Sequence, residues 1–108
     1  MPDDYKELTE KVISCLKEIY DPEIPVNIFL LGLIYKIDFE SYGNNLRCTI
    51  EMTLTSPGCP VADSLVSQVY EISNRVDGIY DMQVNIVFDP PWGPDKMSYE
   101  AKLELGLL

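Results

Sequence analysis

Cys59 lies in the stretch Thr53-Leu-Thr-Ser-Pro-Gly-Cys-Pro-Val-Ala62, where an alternating apolar run stops and a helical pattern begins. The thiol is therefore expected at a strand-to-helix turn. Pro60 suits the first helical position, where a missing N–H costs nothing. Cys59 would then be the N-cap, its sulfur near unpaired N–H groups and the positive end of the helix dipole. Such a position stabilises a thiolate, the form that binds metals and attacks electrophiles. Asp63 opposes this, since a carboxylate in the first turn disfavours a second negative charge. The residues alone leave two readings open, an activated thiol and a buried cap beneath a loop.

Other residues could share in such a site. Thr53, Thr55 and Ser56 supply hydroxyls around Cys59, with Pro57 and Gly58 between them; equally, they could only complete the turn. Asp21 and Glu23 form a carboxylate pair of the kind used in acid–base chemistry, although acids beside prolines more often hold a turn. Trp92, after Pro90 and Pro91, is read as a lid over the core in preference to an exposed recognition aromatic. Cys15 and Cys48 sit on apolar stripes, read as small buried hydrophobes, and their spacings fit no zinc pattern. Histidine is absent. That removes Cys-His and Ser-His nucleophile pairs and the imidazole ligands of most mononuclear metal enzymes. A cysteine-based transferase or hydrolase would have to use Asp63 or Glu23 as base, which is poor chemistry for a thiol.

With 108 residues the chain is read as one domain. A chain of this size buries roughly two-thirds of its unfolded surface, enough for a core without disulfides. The net charge of −10 argues against a nucleic-acid binder, which needs a basic footprint, and against an acidic partner surface. A basic partner or a cation is compatible with it, and solubility is the plainer reading. No apolar run approaches the ~20 residues of a membrane span, and the acidic start is not that of a signal peptide. A cytoplasmic location with reduced thiols is expected.

The elements that must position these residues follow from periodicity. Leu8, Val12, Cys15, Leu16 and Ile19 predict a helix over Tyr5–Tyr20, ended by Asp21-Pro22, then a stiff, extended segment to Asn27. Leu33, Tyr35, Ile37 and Phe39 alternate with Lys36, Asp38 and Glu40 in a first strand. Turn residues Ser41–Asn45 lead to a second, with Leu46, Cys48, Ile50, Met52 and Leu54 inward and Arg47, Thr49, Glu51 and Thr53 outward. The two should form an antiparallel hairpin. A second helix over Pro60–Val76 carries Val61, Leu65, Val69, Ile72 and Val76 inward and stops at Asp77-Gly78. A third strand places Met82, Val84, Ile86 and Phe88 on one face. Asp89–Pro94 breaks regular structure, and Ser98 caps a short helix through Leu105, closed by Gly106. The order α-β-β-α-β-α predicts a two-layer α+β domain, a three-stranded sheet against helices.

Three segments in register resemble one family: Asp21-Pro-Glu-Ile-Pro-Val-Asn-Ile28 with Leu31-Gly-Leu-Ile-Tyr35, Met52-Thr-Leu-Thr-Ser-Pro-Gly-Cys-Pro-Val-Ala62, and Val87-Phe-Asp-Pro-Pro-Trp92 continuing to Met97-Ser98 and Ala101-Lys-Leu-Glu-Leu-Gly106. It is the small iron–sulfur cluster assembly family of SufT, PaaD and the eukaryotic cytosolic iron–sulfur targeting subunit. The resemblance covers nearly the whole chain. It implies an auxiliary, non-enzymatic factor in iron–sulfur cluster assembly, maturation or delivery, with Cys59 as the functional thiol and candidate ligand of iron or a cluster. Asp21, Glu23, Pro90, Pro91 and Trp92 fall in the matching motifs and would border the site. In one departure, Leu30 stands where the family usually has an acid, so no carboxylate ligand is assigned there.

A lone cysteine cannot complete a cluster site, which usually takes four ligands. Any iron or cluster would therefore be transient and shared, with a second protomer or with a scaffold or carrier protein, before reaching client apo-proteins. No tightly bound cofactor is expected. Two other readings stand beside this one: a PaaD-like helper dedicated to one oxygenase, and a metal-free interaction module in which Cys59 is structural.

Overall fold

The computed structural model describes the backbone of residues 2–21, 24–55 and 62–106. The expected element order holds, with two additions. Helix α1 spans Pro2–Leu16, strands β1 and β2 span Ile34–Tyr42 and Asn45–Met52, and helix α2 spans Ala62–Tyr70. A short helix α3 (Ile72–Arg75), strand β3 (Asp81–Ile86), a 3-10 turn (Pro94–Lys96) and helix α4 (Tyr99–Glu104) follow. The sheet order is β1-β2-β3, with β1 antiparallel and β3 parallel to β2. This is the α+β arrangement the periodicity implies.

Helix α1 ends earlier than its apolar spacing suggests. Beyond Leu16 the ladder tightens to Glu18 N–H on the Cys15 carbonyl and Ile19 N–H on the Leu16 carbonyl. The Ile19 carbonyl then accepts from Ile28 N–H at 2.8 Å, and Tyr20 bridges Asn27. Tertiary partners thus remove the helix's last turn before Asp21-Pro22 is reached. Residues 24–26, expected to be extended, form a bend instead; Asp21 is buried, and its Oδ1 accepts from Ile24 N–H at 3.2 Å. Asn27 Oδ1 accepts from Leu30 N–H at 2.9 Å and starts the next turn.

The sheet has one apolar and one polar face. Ile37 and Phe39 pair with Ile50 and Cys48, and Cys48 and Ile50 pair with Met82 and Val84. These side chains join Val12, Leu16, Leu65, Val69 and Ile72 of the helices in one core. On the other face stand Lys36, Asp38 and Glu40, then Arg47, Thr49 and Glu51, then Asp81, Gln83 and Asn85. The alternation in β1 is broken once. Ile34 pairs with Met52 and Lys36 with Glu51, so Tyr35 is an extra residue in a bulge. Tyr35 therefore does not continue the core row of Ile37 and Phe39.

The second helix, read as continuous, is interrupted at Glu71. Ser73 Oγ donates to the Tyr70 carbonyl at 3.2 Å, and Asn74 N–H turns to the Glu71 carbonyl. A hydroxyl competing for a helix carbonyl in this way locally tightens the ladder. Gly78, at φ +99°, ends the segment in a conformation that favours glycine. Strand β3 stops at Ile86, so Phe88 leaves the core row and is half-exposed. Ser98 caps α4 as expected, its Oγ accepting from Ala101 N–H at 3.1 Å. No helix among the described residues is long and apolar enough to cross a membrane.

Candidate functional site

The end of β2 and the segment after β3 leave the sheet together. Val87 N–H donates to the Met52 carbonyl, and Thr53 N–H to the Leu33 carbonyl, both at 2.8 Å. Between the diverging segments is a cleft of about 70 Å³ lined by Thr53, Leu54, Thr55, Phe88, Pro91 and Trp92. Thr53, expected to face outward as the last polar residue of an alternating strand, is instead fully buried. The strand has ended at Met52, so the alternation no longer sets its direction. Among the described residues its Oγ1 has no hydrogen-bond partner. Thr55 is half-buried and Phe88 stands at the mouth.

Trp92 is half-buried and packs on the core, as the lid reading expects. Its indole N–H donates to the Leu31 carbonyl at 2.7 Å. Pro90, which follows a cis peptide bond from Asp89, is exposed; its carbonyl accepts from the Tyr35 hydroxyl at 2.8 Å. Lys96 Nζ lies 5.7 Å from the centre of the Tyr35 ring, within cation–π range.

The structure brings Thr53, Thr55, Pro91 and Trp92 together, with Pro90 just outside. Asp21 is not in the described cleft lining; its Oδ1 accepts from Ile24 N–H three residues on. Glu23, Ser56, Pro57, Gly58 and Cys59 lie outside the described residues, as do Pro60 and the expected cap. Leu30 packs against the core, and its carbonyl accepts from Ser98 N–H at 2.8 Å. The sequence reading missed Leu54 and Phe88, assigned to core rows, and Tyr35. No single-sequence signal marks the bulge that redirects Tyr35.

Among the described residues no charged side chain lines the cleft, despite the acidity of the chain. The described part offers hydroxyls and apolar surface to a ligand. Among the described residues no three Cys, Asp or Glu side chains converge to hold a metal ion. Cys15 and Cys48 are both buried. Burial pushes the Cys48 thiol up to about 12, with Asp38 adding to the effect, so it is a poor thiolate.

Comparison with known proteins agrees in sequence and fold. Residues 9–86 match the family model described as iron-sulfur cluster assembly protein. A Porphyromonas gingivalis protein described as an Fe-S protein maturation auxiliary factor is 41% identical over 108 residues, covering 100% of both chains. The Staphylococcus aureus Fe-S protein maturation auxiliary factor SufT is 43% identical over 89 residues, 82% of this chain and 98% of that one. A crystal structure of a domain of unknown function from Bacillus anthracis superposes with a TM-score of 0.80 at 38% identity, covering 95% of each chain. With the shared fold and the three motifs in register, the chain belongs to the iron–sulfur cluster assembly protein family.

Proposed function

We propose that this chain is an auxiliary factor in the maturation of iron–sulfur proteins, acting through Cys59 and not as an enzyme. The observation that carries the proposal is the cleft where Thr53–Thr55 lead out of β2 toward the Cys59 stretch, faced by Pro91 and Trp92. The described part of its lining is uncharged and mostly apolar, which suits a docking partner more than a charged small substrate. The rigid proline segment lowers the entropy lost when that partner docks. Cys59 supplies one ligand to iron or a cluster in transit, and a carrier protein or a second protomer supplies the rest. The maturation factors among the relatives support this reading, as does the absence of histidine, which leaves a thiol without its usual base. Partners are then carriers and client apo-proteins in the cytoplasm.

The test is replacement in cells. A strain lacking this chain receives wild type or Cys59→Ser, and the activity of an iron–sulfur dehydratase is measured beside its protein level. Serine caps a helix well, so the variant should accumulate as folded protein and leave the client inactive. Full client activity with the serine variant contradicts the role of the thiol.

A further inference from the structure

Three interactions around the cleft converge on one short stretch. The Leu31 carbonyl accepts from the Trp92 indole, and the Leu33 carbonyl accepts from Thr53 N–H. Tyr35 donates its hydroxyl to the Pro90 carbonyl. Leu31–Tyr35 thus ties one wall of the cleft at Thr53 and the other at Pro90 and Trp92. Only the tyrosine contact uses a side chain of this stretch, and it joins residues 55 apart in sequence. That side chain reaches Pro90 because Tyr35 is the extra residue of the β1 bulge. Without the bulge, alternation would place it in the row of Ile37 and Phe39. Bulges beside functional sites commonly re-aim a side chain in this way.

We propose that Tyr35 is a positioning residue. Aimed by the bulge, it holds the Asp89–Pro91 wall so that Trp92 and Thr53 keep the cleft in its docking shape. Its role rests on the cleft's being part of the functional site, as argued above. Among the described residues the wall is held by the Tyr35 hydroxyl, by the Trp92 indole and by the packing of Trp92 on the core. Removing the first raises the open population without touching the core, because local openings need not pass through global unfolding.

Trp92 is the chain's single tryptophan, which makes the wall directly observable. The variant is Tyr35→Phe in the full chain, with Tyr80→Phe as control. Tyr80 precedes β3, at the end opposite Phe88, and is not in the cleft lining. Exchange of the Trp92 indole proton, followed by NMR, should accelerate about fivefold in Tyr35→Phe, the factor for loss of one ordinary hydrogen bond. Acrylamide should quench Trp92 more readily. Thermal unfolding should remain cooperative, and support of client maturation should fall. Tyr80→Phe should match wild type throughout. Unchanged indole exchange in Tyr35→Phe overturns the proposal, and so does a loosened wall with full client maturation. If Cys59→Ser also supports full maturation, the proposed function is what fails, and the exchange measurement still decides whether Tyr35 holds the wall.

Discussion

Gly32 sits between the two carbonyls that receive Trp92 and Thr53, and replacing it with alanine should be among the costliest single-methyl changes in the chain. Its φ is +82°, and a Cβ built on it falls 2.1 Å from the Lys96 carbonyl oxygen and 2.7 Å from the Lys96 carbonyl carbon. The obstacle is backbone, and it cannot rotate away. Lys96 closes the 3-10 turn, Met97 is buried next to it, and Ser98 N–H is bonded to the Leu30 carbonyl. The positive φ contributes about 1–2 kcal/mol, and forcing a methyl into a packed site contributes about 1–3 kcal/mol. Together, about 2–5 kcal/mol is a large part of a stability of roughly 5–15 kcal/mol. The melting temperature should fall by at least about 10 °C. Gly43→Ala isolates the conformational part, because Gly43 has φ +63° and nothing within 4 Å of a built Cβ. It should lose only about 1–2 kcal/mol. Urea unfolding of the two variants beside wild type measures the difference. Equal destabilisation would refute the close approach of Gly32 to Lys96.

Further expectations concern the core and the last helix. Cys48, raised to about 12 when folded from 9.0, keeps its proton while the unfolded chain loses it. The folded state therefore binds more protons between these values, and its contribution to stability is lost as pH rises above about 9. Cys48→Ala should show a shallower loss of stability than wild type between about pH 9 and 11, read from urea midpoints; parallel curves would contradict this. Ser98→Ala removes the bond to Ala101 N–H and should cost about 1 kcal/mol, checked by denaturant unfolding.

The elements legible in the sequence were those set by local periodicity. The rows of Cys48, Ile50 and Met52, of Leu65, Val69 and Ile72, and the Ser98 cap lie where the pattern puts them. Misreadings arose where distant partners intervene. Ile19 keeps its burial, but its carbonyl turns to Ile28 and the helix ends early. Thr53 and Phe88 continue the two-residue period on paper, after their strands have ended. Tyr35 obeys alternation in sequence and escapes it through a bulge that depends on pairing with β2. Of the candidate site, Pro91, Trp92, Thr53 and Thr55 were readable as motif residues. The cleft that joins them depends on contacts across more than thirty positions, between Thr53–Thr55 and Phe88–Trp92, and periodicity carries no such information.

The central claim, that this chain supports the maturation of iron–sulfur clients through Cys59, is tested most directly with purified components. A cluster-loaded carrier and an apo-client are mixed anaerobically, and the recovery of client activity is timed with no added chain, with wild type and with Cys59→Ser. Circular dichroism establishes that the variant is folded. Wild type should accelerate recovery, and the folded serine variant should leave the rate at that of carrier and client alone. Equal acceleration by both chains would contradict the account.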